Sequence, residues 1–186
     1  DVLTARQYMC ENYFEVRTFG AVMSTGDDPC GIVRGPVQLN FARSMSPIVP
    51  QEVTVTRQAI TKEDGSDGTM GKKSIIPYAL YRGEGYISAA LAQKVTGFDE
   101  DDLELLWEAI RNMFENDHSA ARGKMCMRRL YVFKHDSLLG NAPSGELFDK
   151  IVVRQKDKDA PPRVFADYAV EVDETMPEGV TLSRMV

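Results

Sequence analysis

Arg34-Gly35-Pro36-Val37-Gln38-Leu39-Asn40-Phe41-Ala42-Arg43-Ser44 is the stretch that decides the fold. After the Gly-Pro break, Val37, Leu39 and Phe41 alternate with Gln38, Asn40 and Ala42. Period-two alternation with an amide-bearing face predicts a half-buried strand whose outer side meets something polar. Two prolines between Ser46 and Pro50 end it. Gln51 to Thr61 resumes as a strand on Val53, Thr54, Val55 and Thr56, all strand formers. Residues 62–71 are polar, with glycines at 65, 68 and 71, and Lys72 to Tyr81 runs back as an apolar and aromatic strand. Gln51 to Arg82 is therefore expected to form a long β-hairpin arm interrupting a domain. An arm with few core-quality residues near its tip reaches for a partner.

Working outward, residues 2–11 read as the end of a helix, Glu15 to Ser24 as a strand, and Gly26 to Pro29 as a turn. On the other side, Tyr86 to Val95 fits a helix. A stronger helix runs from Glu100 to about Asn116, with Leu103, Leu106, Trp107, Ile110, Met113 and Phe114 on one stripe. Asp99 is placed to cap it and Phe98 to staple onto Leu103. The acidic block from Asp99 to Glu104 is then explained by the helix dipole rather than by a metal. Met127 to Phe133 reads as a strand, Ser144 to Phe148 as a short helix, Ile151 to Arg154 as a strand, 156–163 as a loop, and Arg163 to Val172 as a last strand. The order β, β, arm, α, β and a mixed tail predicts an α+β fold. It is what remains of a βαββαβ ferredoxin-like domain whose opening β-α portion is missing.

The 186 residues, 43% apolar and 27% charged, have an ordinary globular composition. That excludes a disordered chain, a collagen-like chain and a disulfide-dense mini-protein. No apolar run approaches the roughly 20 residues that span a bilayer, and no secretory start is visible, so no membrane partner and a cytoplasmic location are expected. Cys10, Cys30 and Cys126 form no C-x-x-C pair, and His118 and His135 complete no zinc-ligand spacing. Free thiols, no metal and no cofactor are expected. The chain opens at Asp1 rather than Met, which fits a fragment of a longer protein.

A net charge of −6 argues at first against a nucleic-acid partner. The distribution argues otherwise. No acidic residue occurs from Pro29 to Gln51, where Arg34 and Arg43 lie, nor from His118 to His135, which holds Arg122, Lys124, Arg128, Arg129 and Lys134. The acids gather at 99–104 and 157–178, so a basic groove and an acidic back are compatible with the total.

Gly65 to Ser74 resembles a phosphate-binding loop only superficially. Its glycine frame is one residue too long, Lys73 displaces the hydroxyl, and a strand follows where a helix N-terminus is needed. His118 and His135 sit in no nucleophile motif, and no isolated carboxylate pair suits acid–base work. Binding features are better developed. Arg34, Gln38, Asn40 and Arg43 lie on or beside one strand, and Lys72 and Lys73 flank the arm's tip with Met70 as an apolar wedge. Cations hold phosphates, amides bond base edges or ribose, and an apolar tip levers between stacked bases. Taken singly, each is an ordinary surface residue.

Together these segments resemble a CRISPR Cascade backbone subunit of the repeat-associated protein superfamily, nearest the type I-C branch. The likeness lies in Tyr13 to Val22 (Tyr-Phe-Glu-Val-Arg-Thr-Phe-Gly-Ala-Val) and Arg34 to Ser44. It continues through Gly68-Thr69-Met70-Gly71-Lys72, Ile76 to Tyr81, Phe98 to Trp107 and Leu139 to Pro143, ending near Val153. It implies an RRM-like palm (1–46 and 75–156), a hairpin thumb (47–74) and a C-terminal tail of strand and loop (157–186). Copies would line up along one guide RNA, each thumb kinking it, with bases left displayed for a target DNA strand. The other Cascade subunits (large, small and guide-processing) would be partners. The implied RNA contacts are Arg34, Gln38, Asn40, Arg43, Ser44, Arg57, Thr69, Met70, Lys72 and Lys73. The family's opening strand and basic helix do not precede Asp1, and no catalytic residue carries over.

Two other readings stay open. One is a metal-independent endoribonuclease of the same superfamily that matures the guide RNA, with His118 or His135 as its base. The other is a purely structural oligomer subunit with no nucleic-acid contact.

Overall fold

The computed structural model describes residues 2–24, 29–56, 70–120 and 122–186. In chain order these form α1 (Val2–Asn12), α2 (Phe14–Phe19), β1 (Gly20–Met23), β2 (Gly31–Arg34), β3 (Val37–Leu39), β4 (Arg43–Ser44), β5 (Gln51–Thr56) and β6 (Met70–Ile75). There follow β7 (Tyr81–Arg82), β8 (Gly85–Ile87), α3 (Ala89–Leu91) running into a π-helical turn (Ala92–Thr96), and α4 (Glu100–Asn112). The chain ends with β9 (Tyr131–His135), α5 (Ser144–Asp149), β10 (Ile151–Gln155), a 3-10 turn (Phe165–Asp167), β11 (Tyr168–Val172) and β12 (Val180–Arg184). The fold is α+β. Its described strands pair as six two-stranded antiparallel ladders: β1 with β2, β3 with β8, β4 with β7, β5 with β6, β9 with β12 and β10 with β11.

Three of those ladders share the same two chain segments. Residues 37–56 run out and 70–87 run back, so β3·β8, β4·β7 and β5·β6 are successive stretches of one ribbon. Its register slips twice. From Leu39↔Gly85 to Arg43↔Arg82 the outgoing strand advances four residues and its partner three. From Ser44↔Tyr81 to Gln51↔Ile75 the advances are seven and six, across Pro47, Pro50 and Pro77. Each slip is an extra residue on the outgoing strand, the signature of a β-bulge, which bends and twists the pair.

The base of the ribbon is anchored in an apolar cluster. Val37 is buried with Ala92, Phe98 and Leu106, and Phe14, Leu103 and Ile110 pack against them. A second cluster joins Cys10, Val16 and Val33, flanked by Met9, Ala21 and Met23. Burial in that cluster pushes the Cys10 thiol above its ordinary pKa, which keeps it protonated and inert. Helix α2 belongs to both clusters, through Phe14 and Val16. Arg17 points between them and binds Asp102 of α4 through two 2.6 Å bonds, while its Nη1 donates to Cys10 O at the end of α1.

Helix α4 starts as expected. The Asp99 carboxylate accepts from the Asp102 N–H at 3.0 Å, and the Asp102 carboxylate accepts from the Asp99 N–H at 3.2 Å. Several expectations need correction. Phe14–Phe19 is helical, not part of a strand from Glu15. Its strand-forming residues are overruled because a helical turn is what brings Phe14, Val16 and Arg17 onto three different partners. Gly85–Ile87 is a strand, with only Ala89–Thr96 helical, because Gln38↔Tyr86 and its neighbours complete the ribbon's base. Strand β6 stops at Ile75, before Pro77, which lacks the N–H to continue a ladder. Strand β9 begins at Tyr131 and β11 at Tyr168, later than expected. A further strand, β12, follows and pairs along β9 from Val180↔His135 to Arg184↔Tyr131. The turn expected at 26–29 falls largely outside the described residues.

Candidate nucleic-acid interface

In an antiparallel pair, residues directly opposite share a face. Tyr86, Glu84 and Arg82 alternate along the returning strand, opposite Gln38, Asn40 and Arg43. The Asn40 N–H donates to Glu84 O at 2.8 Å, and Gln38↔Tyr86 and Arg43↔Arg82 are register pairs. In a regular strand Arg43 would face away from Gln38 and Asn40. The bulge turns it round, so all three polar candidates share a face. Ser44, opposite Tyr81, lies on the other face and is half-buried.

The two halves of the polar face differ in cover. On the returning strand, Arg82 donates to Ile151 O (2.6 Å) and Phe148 O (2.7 Å) and pairs with Glu84 at 2.9 Å. The Tyr86 ring meets the Phe148 ring at 5.6 Å. Helix α5 and strand β10 therefore cover that half. On the outgoing strand, Gln38, Asn40 and Arg43 are exposed, and among the described residues their side chains have no partner. Removing Arg82 with alanine is expected to lower the stability by about 2 kcal/mol or more, because two buried-side carbonyls lose a charged donor. Removing Arg43 is expected to change it by less than about 0.5 kcal/mol. Urea midpoints of the two variants test the contrast.

Arg34 ends β2 opposite Gly20 and is exposed, with no side-chain partner among the described residues. It is separated from the ribbon by Gly35 and Pro36, both buried. Only Val37 of the expected inward row is buried, at 2% exposure; Leu39 is 63% and Phe41 100% exposed. That corrects the reading of the stretch as one half-buried strand from Val37 to Ala42. Beyond Leu39 the ribbon leaves the core, and β3 and β4 are separated by the bulge.

The outer ladder, β5·β6, is exposed along nearly its whole length. Lys72 faces Thr54 and Lys73 faces Val53, so these neighbours point to opposite sides of the arm. Lys72 shares its side with Glu52, at 3.4 Å in a pair that remains 75% and 66% exposed. So exposed a pair holds Lys72 only weakly. Lys73 shares its side with Val53 and Val55, both exposed, and Gly71. Met70 is the first residue of β6, 73% exposed, opposite Thr56. Arg57 and Thr69, also expected to contact RNA, lie outside the described residues.

In the basic stretch, Arg122 is ion-paired with Asp117, and the Arg128 and Arg129 guanidiniums lie over the Phe165 ring at 5.7 and 5.3 Å. His135 Nδ1 accepts the Asn141 N–H at 2.9 Å, closing the loop after β9, and His118 is exposed. Sequence reasoning missed two features here: Arg82 as the clamp holding the ribbon to β10, and the expulsion of Phe41. Arg82 carried no motif; the bulge exists only as a register between two segments.

A family model described as CRISPR-associated protein Cas7 matches residues 1–173. No curated protein matches the chain. Among the described residues, no helix is long and apolar enough to cross a membrane.

Proposed function

The chain belongs to the CRISPR-associated protein Cas7 family, and from that premise we propose that it is a non-catalytic, guide-RNA-binding backbone subunit of a type I-C Cascade. Family membership implies an RNA-binding backbone subunit of a Cascade-type complex that oligomerises within it. A ferredoxin-like palm carries the ribbon's base, and the ribbon's outer part, with residues 47–74, is a thumb that folds over the RNA and kinks it at intervals. Copies follow one another along the guide, the target DNA strand pairs with the bases left displayed, and the other Cascade subunits cap the assembly in the cytoplasm.

The observation that carries this reading is the bare outer ladder. A two-stranded ribbon exposed on both sides gains little from its own burial and is marginal alone. Its cations, on both sides, suit a ligand that passes around it. Gln38, Asn40 and Arg43, exposed on one face nearer the base, suit the ribose-phosphate path. His135 is engaged by a backbone N–H, and no observation favours the endoribonuclease reading over this one.

RNA co-purifying with the intact protein, with evenly spaced nuclease-sensitive nucleotides, is the expected result; RNA-free protein that ignores repeat-spacer RNA at low salt overturns it. Replacing Lys72 and Lys73 together with alanine is expected to weaken binding while leaving the melting temperature unchanged. For single-stranded RNA each lost phosphate contact lowers the slope of log affinity against log salt by about 0.7, so the double variant's slope should fall by about 1.4. An unchanged slope removes the arm from the interface.

A further inference from the structure

Phe41 is an aromatic side chain left 100% exposed, and the inner bulge is the reason. Ala42 lies across from Gly83, 3.8 Å from where a Cβ would stand, so Phe41 is the residue without a counterpart on the returning strand. Near it, on the face opposite Gln38, Asn40 and Arg43, stand Leu39 and Tyr81, which are 63% and 47% exposed. Across from them the returning strand offers Gly83 and Gly85. Leu39 lies over Gly85, with its Cδ2 only 2.7 Å from a Cβ that glycine lacks, and Gly83 faces only the small Ala42 side chain.

Scattered exposed apolar residues need no explanation; an aromatic left wholly exposed at a bulge, near a second exposed aromatic, does. The charge around it narrows the occupant. No carboxylate occurs between Pro29 and Gln51, Glu84 on the facing strand is ion-paired with Arg82, and two amides and a guanidinium along the strand have no side-chain partner among the described residues. A ligand with flat rings strung on an anionic backbone complements both features.

We propose that Phe41 is a stacking platform for one unpaired base of a single-stranded RNA on the ribbon's stem, near Leu39 and Tyr81, while Arg43 takes a neighbouring phosphate. This rests on the guide-RNA reading and adds a base contact on the ribbon's stem, apart from the arm. Every base presents a π face, so the contact is indifferent to sequence, as a guide of variable sequence requires.

The test is titration of a mixed-sequence single-stranded RNA oligonucleotide into the intact protein and its Phe41→Ala, Phe41→Leu and Phe41→Tyr variants, with a thermal melt of each. Loss of one stacked base is expected to weaken binding about 5- to 150-fold in Phe41→Ala. Phe41→Leu should be nearly as weak, Phe41→Tyr should bind like the parent, and all should melt together. Phe41→Trp adds an indole whose emission should be quenched by RNA. Parental affinity in Phe41→Ala, or its recovery by Phe41→Leu, overturns the proposal while leaving the guide-RNA reading intact. Loss of self-association in RNA-free Phe41→Ala assigns the face to a second copy of the chain and also overturns it. A parent protein that binds no RNA overturns both.

Discussion

Replacing Arg17 or Asp102 with alanine is expected to cost about 3–5 kcal/mol, a large share of the 5–15 kcal/mol that holds a typical domain. The two side chains retain only 19% and 9% exposure, so the surviving partner would be left charged and largely dry. Each also serves a second structure. Arg17 binds the Cys10 and Glu11 carbonyls at the end of α1, where a cation suits the helix dipole, and Asp102 closes the capping box of α4. Losing either therefore unpins α1, α2 and α4 at once. Charge-preserving Arg17→Lys keeps one bond of the fork and should fall between.

The pair also sets an acid limit. The Arg17 hydrogen bond holds the Asp102 carboxyl below the usual carboxylate range, against the opposing effect of burial. A depressed folded-state pKa gives stability that is fully present above the unfolded value of about 3.9 and lost as pH falls through the folded value. Denaturant midpoints should therefore decline in acid less steeply for Asp102→Asn than for the parent. Parallel pH profiles would show that Asp102 is not a contributor.

The second large effect concerns Gly20 and Gly35, which meet where α2 passes into β1. Gly20 has φ of 79°, and a Cβ there would lie 2.3 Å from Val33 O. A Cβ on Gly35 would lie 2.2 Å from the Phe19 carbonyl carbon. The obstacles are backbone atoms, which cannot swing aside as a side-chain end would. Gly20→Ala is expected to lose about 3 kcal/mol or more, from left-handed strain plus overpacking, and Gly35→Ala about as much from overpacking alone. Gly97 is the control. Its φ is 77° but nothing lies within 4 Å of its added Cβ, so Gly97→Ala should cost only about 1 kcal/mol. Equal losses at all three would show that the close crossing of the two segments is not what matters.

These two sites show where sequence reading succeeds and fails. Helix α4 was legible because its signals are local: Asp99 caps within three residues, and the apolar stripe repeats within two turns. The strand at Gln51-Glu-Val-Thr-Val-Thr56 was legible from its β-branched residues. Phe14–Phe19 was not, because the partner that makes it helical, Asp102, is 85 residues away. Strand β12 was overlooked in an acidic tail, although Val180-Thr-Leu-Ser-Arg184 alternates and Val180 is buried. Within the candidate site, residue types were legible and their facing was not. Lys72 and Lys73 read as a pair until period two divided them, and Arg43 joined Gln38 and Asn40 only through a bulge that no single segment encodes.

That bulge makes the ribbon a counting device. Everything beyond residue 41 inherits its side from whether the number of residues before it is odd or even. Deleting Phe41 alone would remove the extra residue and restore a regular ladder in which Arg43 still stands opposite Arg82 on the side of Gln38 and Asn40, and Ser44 stays on the side of Leu39. Deleting Phe41 and Ala42 together would instead place Arg43 directly after Asn40, turning it to the side of Leu39 and carrying Ser44 to the side of Gln38. Loss of the one extra residue should thus be milder than loss of two, because only the larger deletion sends every later side chain to the wrong face.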